Sequence, residues 1–189
     1  MSVPQTRLDL RRAKVLVVDD SPKASEILCT ILRGFQVREP SEFTSIDAAK
    51  QFAQSQPVDL ILADCEMPGE GGIEFARWLR SDPNKPNFSA PIVLLSAYTS
   101  FARAITARDA GANMILAKPV APSALLSRIE WVARNHRPFV ICDTYCGPDR
   151  RFKAGLAPDG MPERRADAIA LTSDSERALS QNDIDSLFG

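Results

Sequence analysis

Short runs of consecutive apolar residues alternate along this chain with stretches in which apolar residues return every three or four positions. Lys14 to Val18 is a β-branched apolar run that stops at Asp19 and Asp20. Leu60, Ile61, Leu62 and Ala63 form a second run, stopped by Asp64. Pro91 to Leu95 stops at Ser96, and Met114 to Ala117 stops at Lys118-Pro119. An unbroken apolar run with polar brackets reads as a strand buried on both faces, as in a parallel sheet. Phe35 to Glu39 reads as one more short strand.

The intervening stretches read as helices. Ser21-Pro22 supplies an N-cap and a proline at the first helical position. Ile27, Leu28, Ile31 and Leu32 then give an apolar stripe, with Gly34 placed to end the helix. Thr44 or Ser45 caps a second helix with Ile46, Ala49, Phe52 and Ala53 inward. A third runs from about Ile73 to Arg80, after a turn rich in glycine. The segment Ser81 to Ala90, with Pro83 and Pro86, is a loop. A fourth helix, about Ser100 to Ala110, is stopped by Gly111. The fifth, about Pro122 to Asn135, turns Leu125, Leu126, Ile129 and Val132 inward. Five alternations of strand and helix predict an α/β domain with a five-stranded parallel sheet covered on both faces.

The pattern divides the chain into a lead-in at 1–12, the α/β domain at 13–136, an extension at 137–178 and a tail at 179–189. The extension is broken by Pro138, Gly147, Pro148, Gly155, Pro158, Gly160 and Pro162, and is too short to bury a core of its own. It reads as largely irregular, although Phe139, Val140, Ile141 and Tyr145 are placed to pack back on the domain. In the tail, Ser180 and Asp183 stand as N-cap and N3 of a capping box. Leu179, Ile184, Leu187 and Phe188 then form the apolar face of a short amphipathic helix. Such a helix is marginal alone and gains order by docking in a groove.

Composition narrows the function without naming it. The 189 residues are 44% hydrophobic and 25% charged, with a net charge of -1. That balance is ordinary for a globular protein and gives no electrostatic reason to expect nucleic acid as a partner. No stretch has the apolar length of a signal peptide or of a membrane span of about 20 residues. A cytoplasmic location is therefore expected, with Cys29, Cys65, Cys142 and Cys146 as reduced thiols. Cys142 and Cys146 have no second cysteine pair and His136 is the only histidine, so they read as small hydrophobes rather than a zinc site. Cys65 reads as a core residue.

The chemistry lies at the strand ends. In a parallel sheet Asp19, Asp20, Asp64, Ser96 and Lys118 share one edge, where open α/β sheets place their sites. Two like charges about 4 Å apart repel by about 4 kcal/mol at an effective dielectric near 20. One lysine offsets part of this, and a hard divalent cation such as Mg²⁺ offsets more. An acidic pocket holding a cation and Lys118 is suited to neutralising a phosphoryl group in transfer, with Asp64 as the attacking carboxylate. The Ser96 hydroxyl and the Lys118 ammonium would donate to the phosphoryl oxygens.

Asp19-Asp20, Asp64 with Met67-Pro68 and Gly72 behind it, Ser96-Ala97 and Lys118-Pro119 resemble the receiver domain of two-component response regulators, the CheY-like family. The resemblance covers about residues 13–136. It implies the (βα)5 flavodoxin-like fold and phosphorylation of Asp64 by a sensor histidine kinase or a histidine phosphotransfer protein. It implies Mg²⁺ held by Asp19 or Asp20, by Asp64 and by the backbone carbonyl of Glu66, and a cis Lys118-Pro119 bond. It also implies that Glu66 and Tyr98 flank the path of a hydrolysing water and tune the phosphate lifetime. One position departs from the family: three residues before Lys118, where Tyr or Phe is usual, stands Ile115. That puts an aromatic switch in doubt, and Tyr98 is the remaining candidate for part of the role.

Arg137-Pro-Phe-Val through Tyr145-Cys-Gly-Pro-Asp-Arg-Arg resembles an extension of small stand-alone receivers of α-proteobacteria. The run from Leu179 to Phe188 resembles the N-terminal peptide of the flagellar switch protein FliM, a binder of phosphorylated CheY. The expected function is thus a response regulator without a DNA-binding output. It is not an enzyme beyond its own phosphorylation and dephosphorylation. It would signal by protein contact, with chemotaxis or motility as the expected setting and the tail binding a receiver in the same or another copy. A phosphate sink or relay intermediate with an inert tail is the alternative. Neither DNA nor membrane is expected as a partner.

Overall fold

A computed structural model describes residues 8–135, 137–142, 145–149 and 180–188. Five parallel strands, β1 (Val15–Val18), β2 (Ser41–Phe43), β3 (Leu60–Asp64), β4 (Ile92–Ser96) and β5 (Met114–Ala117), form one sheet in the order β2-β1-β3-β4-β5. The helices between and after them are α1 (Pro22–Gly34), α2 (Ile46–Ser55), α3 (Gly72–Arg80), α4 (Phe101–Asp109) and α5 (Pro122–Arg134). This is the flavodoxin-like receiver architecture that the alternating pattern and the family resemblance led us to expect. Strands β1, β3 and β4 are buried along their whole length, which is why their sequences show no alternation. Their side chains divide between two cores. Leu16, Val18, Ile61, Ala63, Ile92, Leu94 and Ile115 join the core that includes Phe75 and Leu79 of α3 and Ala104 and Ala107 of α4. Val17, Leu62, Leu95 and Leu116 join the core of Leu28, Leu32, Leu125 and Ile129 from α1 and α5.

The caps form as expected at Ser21 and Ser45, whose side chains accept from the backbone N–H of Ala24 and Ala48. Two expectations near α1 are corrected. Gly34 is the last helical residue, not the terminator, and the left-handed residue is Gln36 at φ 72. Val37 N–H bonds back to the Leu32 carbonyl, which closes the helix end and leaves 35–39 in the exit turn. The strand lies after Pro40, at Ser41–Phe43, where backbone groups are free to pair with β1.

Of the extension, residues 137–142 and 145–149 are described. β6 (Phe139–Cys142) and β7 (Tyr145–Pro148) form an antiparallel hairpin. Tyr145 is buried and its hydroxyl donates to the Pro148 carbonyl at 2.6 Å, while Phe139 packs on Phe88 with ring centroids 4.9 Å apart. Ile141 is exposed, so of the four residues placed to pack back it alone clearly does not. Beneath the hairpin Gly111 takes φ +87, and a Cβ there would lie 2.8 Å from the Cys146 carbonyl oxygen. The hairpin therefore seats only on glycine.

The tail forms α6 (Gln181–Phe188) and lies on its own receiver. The capping box is made: Ser180 N–H and Oγ donate to Asp183 Oδ2 at 3.1 and 2.6 Å, and Asp183 N–H returns to Ser180 Oγ at 3.3 Å. Ile184 and Phe188 are buried in the core cluster that contains Ala104, Ala107 and Ile115, with Leu187 packed at its margin. The inner face of α4 is alanine, so these two side chains supply volume that α4 lacks. The Gln181 amide then treats β5 as a neighbouring strand would. Its Nε2 donates to the Ile115 carbonyl at 3.0 Å and its Oε1 accepts from Ala117 N–H at 2.9 Å. An edge strand with open backbone groups invites pairing, and α6 closes this one. Arg128 on α5 pairs with Asp185 to complete the attachment. Leu179 lies outside the described residues.

Candidate functional site: an acidic pocket at the sheet edge

Asp64 ends β3 and Asp19 follows β1, and since these strands are neighbours their carboxylates converge. Carboxylate oxygens of Asp19, Asp20 and Asp64 all lie within 4.8 Å of one another. Asp19 is fully buried, Asp64 is 4% exposed and Asp20 faces solvent. Lys118 directly follows β5, its bond to Pro119 is cis, and its Nζ lies 2.9 Å from Asp19 Oδ2 and 2.8 Å from Asp64 Oδ2. Gly72 lets the start of α3 press against the strand end, since a Cβ there would stand 2.6 Å from the Asp64 carbonyl oxygen.

Burial pushes the Asp64 carboxyl above its ordinary range, with the Asp19 charge adding to it and Lys118 and the Glu66 N–H opposing it. Burial also pulls on Lys118, but its hydrogen bonds to Asp64 and Asp19 outweigh that and hold its ammonium above the usual lysine value. One cation facing three carboxylates leaves an excess of negative charge, about 3 kcal/mol per like pair at this separation. All-oxygen donors at this spacing fit a hard divalent cation. Asp19, Asp20 and Asp64 are therefore the residues that would hold Mg²⁺.

Ser96 ends β4 beside Asp64 and is fully buried. Its hydroxyl lies 2.7 Å from Glu66 Oε1 and 2.8 Å from the Tyr98 carbonyl. The Glu66 carboxylate also accepts from Ala97 N–H at 3.1 Å and from Arg103 Nη2 at 2.6 Å, while Glu66 N–H donates to Asp64 Oδ1 at 3.2 Å. The strand-end set Asp19, Asp20, Asp64, Ser96 and Lys118 is thus brought together. The Tyr98 ring is not part of it, being 71% exposed. Ile115 lies buried beneath α6, in the cluster of Ile184 and Phe188. Cys65 is buried in the core, and its thiol is pushed up to about 12 by burial. Arg103 escaped sequence reasoning because an arginine in a first helical turn usually faces water. Gln181 escaped because nothing local marks an amide that will meet a distant strand edge.

Residues 15–130 match the response regulator receiver domain family, and the chain belongs to that family. Among curated proteins it is 33% identical over 122 residues to the DNA-binding response regulator MtrA of Mycolicibacterium smegmatis, covering 65% of this chain and 51% of the relative. It is 32% identical over 130 residues to the phosphate regulon transcriptional regulatory protein PhoB of Escherichia coli, covering 68% and 55%. The chain spans about half the length of these curated relatives. Among solved structures, the chemotaxis protein CheY4 of Vibrio cholerae is 31% identical with a TM-score of 0.58, over 64% of this chain and 98% of that one. A Francisella response regulator receiver domain is 26% identical with a TM-score of 0.56, over 65% and 98%. No described helix is long and apolar enough to cross a membrane.

Proposed function

We propose that this protein is a response regulator that accepts a phosphoryl group on Asp64 and signals through protein contact. One observation carries the reading: a buried carboxylate in excess of the available cations, gripped by Lys118 at 2.8 Å, at the open edge of the sheet. An Asp64 carboxylate oxygen attacks phosphorus in the phosphohistidine of a sensor kinase or histidine phosphotransfer protein. The new O–P bond forms as the P–N bond breaks. The imidazole leaves with the electron pair and takes a proton from solvent. Asp19, Asp20 and Asp64 would hold Mg²⁺, which would supply charge neutralisation at the phosphoryl oxygens. Lys118 and Ser96 donate to those oxygens, and Asp19 orients Lys118.

Beside the pocket is an apolar cavity of about 450 Å³ lined by Ala24, Ile27, Leu28, Pro119 and Val120, with Asp19 and Lys118 at its end. Ile27 is exposed there, as suits a surface that receives the phosphodonor protein. The output is the face built by α4, β5 and α5, which α6 occupies. Burial of Ile184 and Phe188 favours this switch over a phosphate sink with an inert tail. Likeness to the chemotaxis protein CheY4 supports chemotaxis as its setting, and the cytoplasm is the place we assign to it.

The chain incubated with Mg²⁺ and acetyl phosphate should take up a hydroxylamine-labile phosphoryl label. Asp64→Asn or removal of Mg²⁺ with a chelator should abolish it. Label retained in Asp64→Asn would remove the reading. A tail with no effect on partner binding or on phosphate lifetime, in the variant Ile184→Asp/Phe188→Asp, would favour the phosphate sink.

A further inference from the structure

The donors that an Asp64 phosphoryl group needs are already in use. An acyl phosphate adds anionic oxygens next to Lys118, Ser96 Oγ and Ala97 N–H. In this structure the last two face the Glu66 carboxylate, at 2.7 and 3.1 Å. The Ser96 proton has a second acceptor in the Tyr98 carbonyl at 2.8 Å, but an ionised carboxylate is the stronger one. A third donor, Arg103 Nη2, holds the same Glu66 oxygen at 2.6 Å. Glu66 therefore sits on its donors as a phosphoryl group would, with two anionic oxygens and a guanidinium behind them.

Two anions cannot share these donors. Arrival of a phosphoryl group takes Ser96 and Ala97 from Glu66 and adds like-charge repulsion at a few ångströms. Arg103 belongs to the first turn of α4, next to its Ser100 cap. Its Nε is buried without a hydrogen-bond partner among the described residues, so the latched arrangement holds Arg103 in a partly unsatisfied state. Further along, α4 packs on α6 through Ala104 and Ala107 and the cluster of Ile184 and Phe188. At its other end α6 grips Ala117 N–H, one residue before Lys118.

Building on Asp64 as the phosphoacceptor, we infer that the Glu66 carboxylate is an internal stand-in for the phosphoryl group. Its displacement releases Arg103 and the start of α4, and so loosens α6 from the α4–β5 face. Glu66 and Arg103 are positioning residues. They act through the donors of the pocket and the seating of a helix. Linkage makes the effect reciprocal: a docked α6 favours the latched state and opposes phosphorylation.

The test uses the full chain and beryllofluoride with Mg²⁺ as the phosphoryl stand-in. Hydrogen exchange of residues 181–188 is read alongside beryllofluoride affinity. Wild type should lose protection in 181–188 at least tenfold when beryllofluoride binds. Glu66→Gln should bind beryllofluoride at least tenfold more tightly, and Glu66→Ala should do the same. In Arg103→Gln the protection of 181–188 should no longer respond to beryllofluoride, and Arg103→Lys should restore part of the response. Wild-type protection that is unchanged on binding, or affinity unchanged by both Glu66 variants, would overturn the inference while leaving the phosphoacceptor intact. No beryllofluoride binding by wild type, or binding that survives Asp64→Asn, would overturn the phosphoacceptor reading and the inference with it.

Discussion

At the carboxyl edge of the sheet, Asp19 and Asp64 are buried with one lysine between them and Asp20 close by. At the amino edge, Arg80 is equally buried and, among the described residues, has no acid as a hydrogen-bond partner. Its guanidinium donates instead to three carbonyls, those of Gly111 at 3.2 Å, Ala90 at 2.8 Å and Phe88. The Phe139 ring of the hairpin covers it, 5.1 Å from the guanidinium carbon. Burial pulls Arg80 down to about 10, still far above neutral, so it remains charged. Both ends thus bury charge, but they treat it differently. Around Arg80 fixed backbone dipoles satisfy the charge, and the result is a clamp joining α3, two loops and the hairpin. Around Asp64 the like charges are left in excess, and the result is a pocket whose charge a hard cation would offset. Buried charge alone does not mark a functional site. Buried charge that the fold leaves uncompensated does.

Substitutions at the two ends should therefore change stability in opposite directions. Arg80→Met leaves three buried carbonyls without their donor and should destabilise the fold by about 3 kcal/mol, measured by urea unfolding. The folded fraction should keep its phosphorylation. Asp64→Asn should abolish phosphorylation and, without Mg²⁺, stabilise the fold by about 1 kcal/mol through relief of repulsion. The sign follows from the raised carboxyl of Asp64. Its contribution to stability is present below the unfolded pKa and is lost as pH rises through the folded one. The variant should therefore lose less stability between acidic and neutral pH than wild type. Equal changes at the two ends would erase the contrast.

The tail offers an intermediate case, an element docked after the domain is built. Phe188→Ala should abolish exchange protection in 181–188 yet shift the unfolding of the receiver by less than about 2 kcal/mol, because α6 can detach rather than leave a cavity. The smallest effect separates the thiols. Burial holds Cys29 at about 11 and Cys65 at about 12, so neither should react with an alkylating reagent at pH 8 in the folded chain. Exposed Cys142, on the hairpin, should react first. Early reaction at Cys65 would show that the core next to Asp64 opens.

The acidic pocket was legible in the sequence because each of its residues stops an apolar run, and a parallel sheet brings such stops to one edge. The same logic located the helices and the capping box at Ser180. It misplaced β2, since Phe35 and Val37 look like a strand although Gln36 turns the chain back. The hairpin was hidden because its stability comes from Gly111, Phe88 and Arg80 rather than from its own pattern. Arg80, Arg103 and Gln181 were illegible for one reason. Each is a polar residue on a helix, and the partners that bury it come from elsewhere in the chain. The tail was recognisable as a helix in need of a groove, but only the fold shows that its groove is the α4–β5 face of the same chain.

The most direct test of the central claim is to locate the phosphoryl group. After reaction with acetyl phosphate and Mg²⁺, borohydride reduces an aspartyl phosphate to homoserine, which peptide mass spectrometry can place. Homoserine should appear at position 64, with Asp19 and Asp20 unmodified. Homoserine at another acid, or at none while the chain carries label, would contradict the account.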